Sequence, residues 1–345
     1  MSKKYSKKFF LYSTAAVIVL FVFGLIWFLS FRSKSAPVIP AVSPVAVQFH
    51  SQLDGSAVTT AEQTMPRVVG VMIDNHPDAR PPAGITLARV VYEAPVEGGF
   101  TRYFALFSSG QTVDKAGPVR SARLYFLDWL AEYGTPVYMH SGGSSDALAE
   151  IKRRGIFSVN EFYWGEYYWR SDEADPPHNL FTKSNLWQAL LEKFGDRYAT
   201  TTWSGWVFGD APSAASSTVK AVAVKYTADY TVGWRYELDS KKYRRFINGQ
   251  LSSDRAGRPV LADNIIILEM PVRVLDEEGR KAIATIGAGS ARVVRQGTLV
   301  RGTWKKSAVE SRTRVYDASG QEITLVPGIT WVEVIPPLTT VEITQ

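Results

Sequence analysis

The 345-residue chain has no cysteine. That excludes disulfides, thiolate metal sites, a cysteine nucleophile and a lipidated cysteine anchor. Histidine is scarce, four residues in all. Acidic residues are missing from the first 35 positions, which carry Lys3, Lys4, Lys7, Lys8, Arg32 and Lys34. The 39 basic residues less these six equal the 33 acidic ones, so the net charge of +6 belongs to the N-terminal segment. A body without a basic surplus gives no footprint for nucleic acid, and none is expected as a partner. The GxSxG elbow, HExxH, the calcium loop and the lysine of GxxxxGK[ST] are also missing. Serine hydrolase, zincin, EF-hand and P-loop readings therefore lack their signatures. What is present is a hydrophobic fraction of 46%, ample for a core in a chain long enough for two domains.

Phe9 to Phe31 runs 23 residues without a charge. As a helix this is about 34 Å, against a hydrocarbon core of roughly 30 Å. It is longer than the apolar region of a cleaved signal peptide, and no cleavage site follows Ser30. Four lysines precede it. The expectation is a single-pass anchor in the cytoplasmic membrane, with residues 1–8 cytoplasmic and the bulk extracytoplasmic.

Residues 32–65, rich in Pro, Val, Ser and Ala, read as a tether. Residues 66–208 read as a domain of mixed strands and helices. Val68–Asp74, Arg89–Pro95, Thr101–Ser108 and Pro136–His140 have strand character. Ser121–Tyr133, Asp146–Arg154 and Lys183–Phe194 have helical spacing. Residues 209–218 read as a linker. Residues 219–345 carry strand-like runs separated by turn signals such as Asn248-Gly249. The fold class expected is α/β or α+β, a mixed sheet-plus-helices domain followed by a smaller β-rich domain.

Three histidines sit beside turn-forming residues, as His76-Pro77, His140-Ser141-Gly142-Gly143 and Pro176-Pro177-His178-Asn179. Each is either a structural hydrogen-bonding group or part of a site. A two-residue Gly98-Gly99 hairpin loop would pair Glu97 with Phe100, Pro95 with Arg102 and Glu93 with Phe104. Parity then puts Glu93, Glu97 and Arg102 on one face, either as a pocket wall or as a solvated tip with an ion pair. Glu93 and Glu97 would be roughly 13 Å apart along the strand. A glycosidase pair is about 5–9.5 Å apart, so each would need another partner. Arg120 and Arg123 at a helix start suggest an anionic partner, a buried acid or a ligand carboxylate or phosphate. Ser141, Gly142 and Gly143 form a candidate anion loop. Asp74, His76, His140 and His178 are too scattered to read as a metal site, and neither metal nor cofactor is expected. Residues 162–169 hold six aromatics, the wall of a sugar cleft or a core cluster.

The runs VMIDNHPDARPPAGITLARVVYEAPVEGGFTRYFALF, GPVRSARLYFLDWLAEYG, HSGGS and PPHNLF, with the later YRRFINGQLSSDRAGRPVLADNIIIL and GITWVEVIP, resemble the YerB-type family of bacterial envelope proteins. The resemblance covers about residues 66–340. It implies an extracytoplasmic location, often by lipidation, and two domains, but no established reaction. The residues themselves suggest a cleft for an anionic or glycan ligand, peptidoglycan or another envelope glycan, possibly hydrolytic. Glu93, Glu97, His140 and His178 are the catalytic candidates, and Arg102, Arg120, Arg123, Asn179, Ser141, Gly142 and Gly143 the binding ones. The alternative is a non-catalytic envelope scaffold or protein-binding module.

Overall fold

Uninterrupted apolar runs make strands buried on both faces, and the first of them sets the frame. A computed structural model describes residues 5–31, 48–198, 201–210 and 219–345, with side chains omitted for 5–16 and 31. Val68–Asp74 (β1), Val90–Pro95 (β2) and Thr101–Ser108 (β3) are buried throughout but for Ser108. Val137–His140 (β4) and Ser158–Asn160 (β5) follow. Past the expected linker come Ala221–Lys225 (β6), Thr231–Glu237 (β7), Lys242–Ile247 (β8), Asn264–Glu269 (β9), Gly287–Arg295 (β10), Thr298–Lys306 (β11), Arg314–Asp317 (β12), Thr330–Ile335 (β13) and Thr340–Thr344 (β14).

Ten strands form one sheet in the order β12-β11-β10-β9-β13-β2-β3-β1-β4-β5. β13 lies parallel to both β9 and β2, so the two halves of the sequence meet edge to edge inside it. A second sheet contains β8-β7-β6-β14. One face of the large sheet, through Val69, Val71, Ile73, Tyr103 and Trp331, packs on Val222, Val232, Trp234 and Tyr243 of the second sheet. Trp187 and Leu190 of helix Ser184–Phe194 join the same cluster. The other face, through Met72, Tyr92, Phe104 and Val332, packs on Phe126 and Trp129 of helix Leu124–Leu130 and Ile151 of helix Ser145–Arg154. The mixed α/β, sheet-rich class is as expected. Most of the expected linker, residues 211–218, lies outside the described residues. The sheet continues across that position, and residues 48–345 form one compact unit.

The other unit, residues 1–47, contains a helix over Tyr5–Phe31. Among the described residues no helix is long and apolar enough to cross a membrane. The side chains described there, residues 17–30, span only about 21 Å of helix. Residues 1–4 and 32–47 lie outside the described residues, and with them the first half of the expected tether. Its second half is ordered. Phe49–His50 pairs with Ala57–Val58. Leu53 joins the core, and Asp54, also buried, accepts hydrogen bonds from the Ser56 amide and hydroxyl. Leu53, the Arg89–Asp54 ion pair and the bonds from the Gly205 and Gly328 amides dock a segment whose composition resembles a linker.

At the meeting of β2 and β13, Glu93 and Glu333 are direct neighbours on parallel strands, and both are fully buried. Arg245 of β8 reaches across from the second sheet and pairs with Glu93 at 2.6 Å. Tyr230 and Thr101 donate to Glu93, each at 2.6 Å, and Asn75 at 3.3 Å. Tyr226 and Trp234 donate to Glu333 at 2.8 and 2.9 Å. Burial, followed by the adjacent Glu93, pushes the Glu333 carboxyl up to about 8. An unfolded chain would release that proton near the ordinary 4.5. Between these values the folded chain holds the extra proton, so stability falls as pH rises. Melting temperatures measured from pH 5 to 9 should decline across this window, and the decline should be shallower in Glu333→Gln. A parallel slope in the variant would refute the assignment.

Candidate functional site

The hairpin register differs from the expectation by one residue. Val96 donates its amide to the Phe100 carbonyl, closing a loop around Glu97-Gly98-Gly99, in which Gly98 and Gly99 both have positive φ. Glu93 therefore pairs with Tyr103, and Ala94 with Arg102. In a pleated strand a shift of one residue reverses the face. Glu93 and Arg102 accordingly lie on opposite faces, and the proposed wall of Glu93, Glu97 and Arg102 does not form. Glu93, expected as a catalytic carboxylate, is spent on the buried network with Arg245.

On the face that carries Arg102, a polar cluster gathers at the C-terminal end of β1. Asp74 ends that strand and pairs with Arg102 in the ladder. Its Oδ2 lies 2.9 Å from Arg120 Nε and 2.7 Å from His178 Nδ1. Its Oδ1 accepts the His76 amide at 3.1 Å. Burial alone would raise the Asp74 carboxyl. Arg120 and Arg102, with the His76 amide and His178, outweigh it and hold it below the usual range. With Asp74 accepting at Nδ1, His178 presents Nε2 as its free lone pair. The His76 ring stacks on His178 with centroids 4.9 Å apart and planes 14° from parallel, and Phe100 meets the His76 ring edge-on at 4.5 Å.

Arg102 is buried and donates to the Ser121 carbonyl, while its Nε has no partner. Among the described residues it makes no ion pair. Burial, then the neighbouring Arg123, brings its guanidinium down to about 10. Arg123 itself grips Glu97 with two bonds of 2.6 and 2.7 Å. That fork consumes the Glu97 carboxylate, which burial would raise and Arg123 lowers. Glu97 thus sits in the cluster as a partner of arginine, without a free oxygen pair for acid–base work.

The remaining candidates are placed differently. His140 is fully buried, its Nδ1 bonded to the Gly142 carbonyl at 2.8 Å and its Nε2 to Ser158 Oγ at 2.7 Å. Burial lowers it to about 4, so it is neutral and structural. The expected anion loop has already used most of its donors. The amides of Ser141, Gly142 and Ser144 donate to the Arg120 carbonyl, Asn160 Oδ1 and the Ala122 carbonyl. The helix expected from Ser121 begins at Leu124, so Arg120 is in extended chain ahead of it and no helix dipole acts there. Asn179 holds Arg170 at 2.9 Å, and Arg170 in turn pairs with Glu161. The aromatic strip divides. Tyr167 and Tyr168 are core, whereas Phe162 and Tyr163 are exposed, Phe162 beside Gly142. The linings of the grooves at Arg80, Asn248 and Leu251, and at Lys115, Glu173 and Arg255, do not include Asp74 or His178.

Convergence was expected of Glu93, His140, His178 and Arg120, and the structure brings together only the last two. The residue that joins them, Asp74, and the stacking partner His76 were not among the catalytic candidates. The signal for both was in the sequence, as Asp74-Asn75-His76-Pro77-Asp78 directly after an apolar strand.

The comparisons with known proteins agree with this architecture. Residues 53–199 match the N-terminal domain of DUF3048, a protein family of unknown function, and residues 222–332 match its C-terminal domain. The chain belongs to the DUF3048 family. It is 31% identical over 310 residues to the Bacillus subtilis (strain 168) protein named "Putative lipoprotein YerB", covering 88% of this chain and 92% of that one. The crystal structure of YerB from Bacillus subtilis superimposes with a TM-score of 0.77 at 29% identity, over 86% of this chain and all of that one. Within this DUF3048 chain the two family domains are not separate lobes, because β9 and β13 of the second extend the sheet of the first.

Arg120→Ala should raise the Asp74 pKa and cost about 1–3 kcal/mol at pH 7, the penalty of leaving a buried polar group short of its partner. The interaction needs ionised Asp74, so the deficit should narrow as pH falls below 4. Denaturant unfolding of parent and variant at both pH values checks this. A deficit independent of pH would refute the role given to Asp74.

Proposed function

We propose that this chain is a membrane-anchored extracytoplasmic envelope protein whose Asp74–His178–arginine cluster binds an anionic group, carboxylate or phosphate, of peptidoglycan or another envelope glycan. The observation that carries the ligand reading is Arg102. Its Nε is unbonded and no carboxylate touches it directly, and Arg102, Arg120 and Arg123 outnumber the carboxylates Asp74 and Glu97 beside them, so an anion would balance the surplus charge. Arg120 and Arg123 add to that potential. Exposed Phe162 and Tyr163 nearby offer flat faces to sugar rings. In a hydrolytic version of this reading His178, oriented by Asp74, is the acid–base group.

The anchor follows from chemistry as well. A lipoprotein is tethered through cysteine, which this chain lacks. The helix over Tyr5–Phe31, with its uncharged run and preceding lysines, is the element left to do the same work as a single-pass span. A second reading, a non-catalytic scaffold or protein-binding module, is favoured by the closed pairs Glu97–Arg123 and Glu161–Arg170, which leave those charges satisfied without a ligand.

Two outcomes test the proposal. A reporter that is active only outside the cytoplasm, fused after Gln345, should be active; a stable but inactive fusion would end the export argument. Titration calorimetry of the full chain in detergent micelles, with chelator present, should show binding of peptidoglycan fragments bearing free carboxylates. Arg120→Ala should weaken it by at least about tenfold, the loss of one charged hydrogen bond, and amidated fragments should bind poorly. Equal binding of charged and amidated fragments, or none of either, would leave the scaffold reading.

A further inference from the structure

The segment after β1 turns sharply at Pro77, and this brings His76 and Asp78 to the same side. His76 Nδ1 accepts the Asp78 amide at 3.3 Å and lies 3.4 Å from Asp78 Oδ2. Two ligand atoms bound about 2.0–2.1 Å from one tetrahedral ion are themselves roughly 3.3 Å apart. The imidazole and carboxylate already have that spacing without an ion. The third group arrives from far along the chain. His178 stacks on His76, and one ligand atom from each of His76, Asp78 and His178 lies within 4.8 Å of the others.

The geometry points to a site for a divalent transition-metal ion of the zinc type, held by His76, Asp78 and His178. Two imidazoles and one carboxylate are a donor set that such ions accept, and three protein ligands leave a position open. Asp74 supplies what an isolated trio of polar residues would lack. It binds His178 at Nδ1, fixing the ring and its tautomer and turning Nε2 outward, the arrangement in which a carboxylate supports a metal-bound histidine. Arg120 and Arg102 stand beside Asp74 on the same face. Those guanidiniums oppose a cation, but Arg120 lies against Asp74 Oδ2 and Arg102 is buried behind the strand end. The same cations suit an anion completing the open position. This deepens the ligand reading above and rests on it only for what occupies that position.

The test is zinc binding by the full chain in detergent micelles, stripped with chelator and titrated with Zn2+ alone at pH 7.5 against a competing indicator dye. One equivalent should bind. His76→Ala and Asp78→Asn should abolish it or weaken it by at least about tenfold, and Asp74→Asn should weaken it by about 10–100-fold. His50→Ala, outside the cluster, should bind as the parent does. Co2+ should give the visible absorption of a tetrahedral complex, lost in His76→Ala. His76 and Asp78 are partly exposed, so these variants keep the fold even if His178→Ala does not. Failure of the parent to bind one equivalent, or binding unchanged in both His76→Ala and Asp78→Asn, overturns the inference. No envelope ligand is present in this experiment, and the fragment titration is run with chelator, so either proposal can fail while the other stands.

Discussion

The Glu93–Arg245 pair is the contact on which the two halves of this chain turn. It places a fully buried carboxylate from β2 against a fully buried guanidinium from β8, with Glu333 of β13 beside them. Two buried acidic groups beside one guanidinium in a dry interior demand partners for their oxygens, and Tyr230, Thr101 and Asn75 at Glu93 and Tyr226 and Trp234 at Glu333 supply them. Asn75, Glu93 and Thr101 come from the first family domain, the others from the second. Removing one partner would leave a buried charge uncompensated, a loss of about 3–5 kcal/mol. Such a network ties the docking of the domains to the pairing of all of its members.

The same strand parity that builds this network keeps it apart from the surface cluster. Asn75 faces the buried side, and its neighbours Asp74 and His76 belong to the other cluster. Glu93 and Arg102, one rung from each other across the hairpin, are divided in the same way. Polar residues crowded within a few positions in sequence therefore serve two ends. One set cements the domains, and the other stands at the strand end, where His178 and Arg120 can reach Asp74. His140 is a third case, a strand-end histidine whose two nitrogens are both satisfied inside the protein.

Membership of the DUF3048 family and the match to YerB tie the fold to that of a relative named as a putative lipoprotein. The sequence of this chain contains no cysteine.

Much of the fold was legible from residues. Val68–Asp74 is a strand with the bounds its apolar run gave, and the strands beyond residue 219 lie close to where their patterns put them. Local periodicity carries such information because burial repeats along the chain. Arg120 and Arg123 were legible as charges in want of an anionic partner, and the structure gives them Asp74 and Glu97. Register was not. Whether the Gly-Gly turn closes with two loop residues or three depends on the pairing of Val96 with Phe100, and that single residue decides which face Glu93 occupies. Nor could sequence pair Glu93 with Arg245, 152 positions away, or Asp74 with His178, 104 positions away. Those meetings depend on β13 entering the sheet beside β2 and on a distant loop folding back over β1. Chain connectivity and local propensity do not encode such a choice; only the packing of the whole sheet makes it.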